Sequence, residues 1–217
     1  MNEPEWKNPY FGFPQMVRFA FDCSEDAEQK IAELASEEKK SQLNELFGPM
    51  FNDKIKVDPS KFKHESYVLS TLKALDGGEV SDNIFPILDY EKIKEGKMAQ
   101  HIVMVLPYKA SCDAMSYLLQ SNKLEFKHLC DYEIINIAGH DSPFNNRGNI
   151  SALDKIKNKI KSDAKNGKKT ISLTVNKMLT GVTVPEWDTM IFLKDTKSPQ
   201  EYDQAIYRLQ SPNVIKY

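Results

Sequence analysis

Gln204 and Arg208 stand four residues apart near the end of the 217-residue chain, and residues at that spacing share one face of a helix. A glutamine and an arginine so placed can address an anion together, the arginine through a planar fork that is always charged. Upstream, Thr180 and Gly181 make a turn in which a hydroxyl and backbone N–H groups can approach a phosphate closely, because glycine has no Cβ in the way. Thr174, on the strand pattern before that turn, either faces a nucleic-acid backbone or sits within a sheet. The chemistry these residue types support is the binding of phosphate groups.

Such residues need a scaffold, and the second half of the chain supplies the pattern of one. His101 to Pro107 is a continuous apolar run, as expected of a strand buried on both faces. Lys109 to Gln120 is patterned as a helix, and Tyr132 to Gly139 as the next strand. Leu153, Ile156, Ile160 and Ala164 mark the buried stripe of a helix over Ser151 to Lys165. Lys169 to Asn176 and Thr189 to Lys194 complete four strands. Ser198 then caps a final helix, with Pro199 at its first position and Glu201 at its third. Alternating strands and helices predict an α/β fold with a parallel sheet and right-handed crossovers.

The first 96 residues differ in texture: an aromatic-rich stretch with a strand around Met16 to Phe21, then a helix opened by Ser24 with Glu25, Asp26 and Glu28 in its first turn. Its apolar positions run on through Leu43, Leu46 and Phe47, and a second helix, Tyr67 to Leu75, ends at Gly77-Gly78. The expected division is a mostly helical segment, 1–96, followed by the α/β domain, 97–217.

Over about residues 97 to 212 the chain resembles the second RecA-like lobe of superfamily 2 helicases and translocases. Thr180-Gly181-Val182-Thr183-Val184-Pro185 is similar to motif V, Gln204-Ala205-Ile206-Tyr207-Arg208 to the start of motif VI, and Ile137-Ala138-Gly139-His140 lies where motif IV and its Gly-His turn are found. Within that superfamily the motifs look most like those of type I restriction enzyme R subunits and related type III-like restriction helicases. The resemblance implies a RecA-like sheet and a motor driven by ATP with Mg²⁺ on double-stranded DNA. Arg208 and Gln204 would be catalytic, Gly181, Thr183 and Arg208 would face the nucleotide, and Thr180, Gly181 and Thr174 would touch DNA. It also implies a first RecA-like lobe and a nuclease domain in the same parent chain, with methyltransferase and specificity subunits as partners. Thr183 and Ser211 stand where many members carry Asp and a second Arg. These two departures favour an alternative, a non-catalytic nucleic-acid-binding or scaffolding module of the same fold.

Composition narrows the field. Twenty-nine basic residues against 31 acidic give a net charge of −2, so nucleic acid must be held by a local patch and not by the field of the whole chain. No apolar run reaches the roughly 20 residues of a membrane span, no secretory signal opens the chain, and Cys23, Cys112 and Cys130 suit free thiols in a reducing, cytoplasmic setting. The histidines are scattered, and no metal site is expected. Lys155, Lys157, Lys159, Lys161 and Lys165, followed by Lys168 and Lys169, read as the solvated face of an amphipathic helix, with a DNA track as the alternative. Asp89, Glu95 and Lys97 mimic nuclease spacing but lie in a charged, turn-like stretch. Trp6, Tyr10, Phe11 and Phe13 read as packing aromatics, and His140 as a loop residue.

No G-x-x-x-x-G-K-[ST] string occurs, so a phosphate-cradling loop must come from another lobe. The 217-residue chain alone, with no nucleotide of its own to hold, is expected to hydrolyse no ATP. A DNA-stimulated ATPase activity of the isolated chain, copurifying enzymes excluded, would contradict that expectation.

Overall fold

The computed structural model describes residues 42–50, 58–77, 99–138, 152–175 and 184–196, together with 198, 200, 203 and 204. The strand expected around Met16 to Phe21, the helix opened by Ser24, the aromatic cluster, Asp89, Glu95, Lys97 and His140 lie outside the described residues. In chain order the elements are α1 (Gln42–Leu46), β1 (Pro49–Met50), β2 (Asp58–Phe62), α2 (Glu65–Leu75), β3 (His101–Leu106), α3 (Lys109–Ser121), β4 (Tyr132–Asn136), α4 (Ala152–Lys165), β5 (Lys169–Val175) and β6 (Thr189–Phe192).

All six residues of β3 are buried. The strand pairs in parallel with β5 on one side and β6 on the other, and β4 pairs in parallel with β5. The sheet order is β4-β5-β3-β6, an α/β fold with a four-stranded parallel sheet flanked by helices. Successive side chains point to opposite faces, and each face meets its own core. Ile102, Met104 and Leu106 join Ile171 and Leu173 in a cluster that contains Met115 and Leu118 of α3. Val103 and Val105 join Ile135 and Ile137 in a second cluster, with Ile156 and Ile160 of α4. The helices therefore cover opposite faces, as the two directions of crossover require.

Residues 42–77 add to the first face. Phe47, Phe62, Val68 and Leu72 are buried in the same cluster as the β3 side chains, and Phe47 and Phe62 meet edge to face with ring centroids 6.2 Å apart. Besides the two helices this part contains a short antiparallel pair, β1 with β2, which the sequence pattern does not announce: Asp58-Pro-Ser-Lys-Phe62 has no apolar alternation. Helix α2 ends at Gly77 with a positive φ of 74°, the left-handed backbone for which glycine carries no steric cost.

Asp76, the C-cap of α2, is only 3% exposed. An acidic side chain at a helix C-terminus opposes the macrodipole, so something else must hold it. Its carboxylate accepts the backbone N–H groups of Lys127, of His128 at 2.9 Å and of Leu129 at 2.7 Å, about fifty residues further along the chain. The tight turn entering β4 is thereby tied to the end of α2. Removing the carboxylate leaves buried amides without an acceptor. Asp76→Ala should therefore cost about 2–4 kcal/mol, and Asp76→Asn, which keeps one acceptor oxygen, less. Urea unfolding measures both, and an alanine variant within about 0.5 kcal/mol of the parent would show that water replaces the carboxylate.

Candidate functional site

Because β3, β4, β5 and β6 are parallel, their carboxyl ends lie along one edge of the sheet, with Leu106 opposite Val175 and Val105 opposite Phe192. At that edge the chain leaving β3 turns at Pro107 and Tyr108 into α3, on the first face. The chain leaving β5 returns on the second face, where Val184 and Trp187 are buried beside Val103 and Ile135. Adjacent strands whose connections leave on opposite faces open a crevice at their carboxyl ends, the place where open α/β sheets bind ligands. Here that crevice lies between β3 and β5.

Both ends of the segment carrying Thr180, Gly181 and Thr183 are anchored. Val175 ends β5 in register with Leu106. On the return, the Trp187 N–H bonds to the Val184 carbonyl at 3.1 Å and the Trp187 indole donates to the Ser172 hydroxyl at 3.2 Å. Asp188 then reaches the opposite edge, where its carboxylate accepts the Gln100 N–H at 2.7 Å and β6 begins. On the far side of β3, the Leu193 N–H bonds to the Val105 carbonyl at 2.9 Å, and the chain continues through Asp195 towards Gln204.

The candidate residues divide accordingly. Thr174 is 1% exposed, on the face it shares with Ser172, and its hydroxyl donates to the Val175 carbonyl at 3.3 Å; among the described residues it is a sheet residue just beneath the edge. Asp203 and Gln204 are helical and exposed. Thr180, Gly181, Thr183 and Arg208 lie outside the described residues. What the structure brings together is the points from which their segments depart, either side of β3.

Sequence reasoning missed the polar ties along this edge. Asn136 donates to the Asp113 carboxylate at 2.7 Å, joining the end of β4 to α3. The Ser111 hydroxyl donates to the Phe47 carbonyl at 2.6 Å. Asn44 and Asp195, 151 residues apart, bond to one another twice. No local pattern could have flagged them, since each partner is ordinary in its own segment.

Cys112 is fully buried and burial pushes its thiol well up, and burial and Asp131 also raise Cys130. His101, on β3 at the opposite edge, bonds Thr170 through Nδ1 at 3.0 Å, and burial holds its imidazole below the usual range. Among the described residues no group of three or more His, Cys, Asp or Glu side chains could hold a metal ion, and no helix is long and apolar enough to cross a membrane.

The lysines of α4 are partly spoken for. Lys159 pairs with Glu133 and, at 2.9 Å, with Asp163. Lys168 pairs with the same Glu133 at 3.1 Å, and Lys169 lies 5.8 Å above the Tyr132 ring. The bond from Lys159, helped by Lys168, holds the Glu133 carboxyl below the ordinary range. Lys161 and Lys165 are exposed. Glu133, Lys168 and Lys169 all lie at the amino ends of β4 and β5, away from the crevice.

No known family profile matches the chain, and no solved structure does. The chain is 30% identical over 221 residues to a protein of Mycoplasma pneumoniae described as the C-terminus of a "putative type II restriction enzyme and methyltransferase". The match covers 98% of this chain and 29% of that protein's length.

With Lys159 and Lys168 neutralised, the chain should bind DNA through few phosphates. Log affinity falls by about 0.9 per phosphate neutralised for each log unit of salt, so a shallow slope is expected, unchanged in the Lys161→Ala/Lys165→Ala variant. Equilibrium binding titrated across salt concentrations checks this. A slope near six, reduced by about two in that variant, would make α4 a DNA track.

Proposed function

We propose that the chain is part of the ATP-driven DNA translocase of a restriction–modification system, supplying motif V and motif VI residues to an ATP cleft and to the DNA backbone. The observation that carries this reading is the arrangement at the carboxyl edge: the motif V segment leaves β5 and the chain towards motif VI leaves β6, with β3 between them. In this reading ATP lies between this domain and a first RecA-like lobe of the parent protein. The first lobe brings the phosphate-cradling loop, Mg²⁺ and the group that orients the attacking water.

Arg208, supported by Gln204, meets the charge that develops on the transferred phosphoryl group. Gly181 and Thr183 face the nucleotide, while Thr180 and Gly181 contact phosphates of the duplex. Such contacts are independent of base sequence, as movement along DNA demands. Thr174 is buried just beneath the edge, one strand residue before Val175. The relative's name joins restriction and methylation, and that association supports DNA and a methyltransferase as partners of the parent; a nuclease domain and specificity subunits complete the same reading. The second reading, a non-catalytic nucleic-acid-binding or scaffolding module, is favoured by Thr183 and Ser211.

The two readings part at Arg208. In the intact parent, Arg208→Ala should lower ATP turnover by about 10³-fold or more and change stability by less than about 1 kcal/mol. Arg208→Lys should restore little, since the charge remains but the fork is lost. Steady-state ATPase assays with duplex DNA check this, and near-normal turnover in Arg208→Ala would favour the scaffolding module.

A further inference from the structure

Helix α1 has five residues, too few to hold itself together in water. Its place is set by what it touches, and it and the residue after it touch the segments that follow β3 and β6. The Asn44 backbone N–H donates to the Asp195 carboxylate at 3.0 Å, and the Asp195 backbone N–H donates back to the Asn44 side-chain carbonyl at 3.1 Å. Directly after the helix, the Phe47 carbonyl accepts the Ser111 hydroxyl at 2.6 Å, and the Phe47 ring is fully buried on the first face. Ser111 belongs to the first turn of α3, which follows β3. Asp195 lies just beyond β6. A segment from the start of the described chain thus braces the chain leaving β3 and the chain leaving β6.

We propose that Asn44 is a positioning residue, fixing the direction in which the chain leaves β6 towards Gln204 and Arg208. The inference rests on the reading of those two residues given above. The strand pairing of β6 ends at Phe192, and the Leu193 N–H still bonds to the Val105 carbonyl of β3. Beyond it, the paired bonds with Asn44 constrain Asp195 at both its amide and its side chain. Two bonds closing a ring between the same two residues define an orientation, where a single bond would leave a hinge. The apolar contacts beneath, through Leu43, Leu46 and Leu193, do not depend on the Asn44 side chain. Its loss therefore acts on the exit geometry more than on the core, and small displacements of a group that meets a transition state are costly in rate.

The test uses the full-length parent protein and duplex-DNA-stimulated ATP hydrolysis. Asn44→Ala should lower kcat about 10- to 100-fold with the KM for DNA unchanged. Amide exchange should quicken at Asp195 and stay slow along β3. Asn44→Asp sets two carboxylates against each other and should lower kcat at least as far. Adding Asp195→Asn to Asn44→Asp removes the repulsion, keeps both acceptor oxygens and should restore turnover, a rescue that general destabilisation would not give. Normal kcat in Asn44→Ala with exchange quickened at Asp195, or no recovery in the double variant, overturns the proposal even where Arg208→Ala is dead. Normal turnover in Arg208→Ala, or no ATP hydrolysis by the unaltered parent, overturns the reading of the cleft and this inference with it.

Discussion

Strand β3 has to satisfy three demands at once, and most of the structure follows from how they are met. Its backbone must find hydrogen-bond partners on both edges, because no water reaches a strand whose six residues are all buried. It finds them in β5 and β6, in parallel register. Its side chains must be covered on both faces, which calls for α3 on one and α4 with Val184 and Trp187 on the other. Parallel neighbours can be reached only by crossovers, and crossovers on two faces force the connections after β3 and β5 to diverge. The crevice is a by-product of burying one apolar strand.

The helices and hairpin that precede the sheet are held to it by polar ties as much as by the core. Phe47 and Phe62 supply apolar contact. Asp76 reaches the turn before β4, Ser111 reaches the Phe47 carbonyl, and Asn44 reaches Asp195. Each joins segments far apart in the chain, and each satisfies a backbone group that sheet or helix leaves without a partner. An unpaired buried amide or carbonyl costs more than a net hydrogen bond contributes, so these ties specify geometry strongly while adding modest stability.

The two edges of the sheet carry different electrostatics. At the amino edge, Glu133 gathers Lys159 and Lys168, Lys169 rests on the Tyr132 ring, and His101 is buried against Thr170. Charges there are matched within the domain. The carboxyl edge is where the motif-bearing segments depart, and the ties described there go to backbone groups or between neutral and acidic side chains.

The apolar run from His101, the periodic stripe of Ile156 and Ile160, and the β-rich stretch from Lys169 were legible in the sequence because their elements are built from local repetition: period near 3.6 for a helix, a continuous run for a strand buried on both faces. The parallel sheet with helices followed from their alternation. The candidate phosphate-binding residues were likewise picked out from local features, Thr180-Gly181 and the Gln204–Arg208 spacing. The antiparallel pair of β1 and β2 was not, because Asp58-Pro-Ser-Lys-Phe62 is held by its partner and by burial of Phe62. Nor was the choice for Thr174, whose neighbours in sequence suit a surface or an interior equally well; packing of the sheet put it inside. Asp76 at the end of α2 breaks a local rule, and the amides that explain it lie about fifty residues away. The sequence by itself determined the periodic elements and the residue types of the candidate site, because both depend on near neighbours. Tertiary structure alone decided sheet order, the crevice and the reach of Asn44 to Asp195, because a hydrogen bond across 151 residues leaves no periodic trace in either segment it joins.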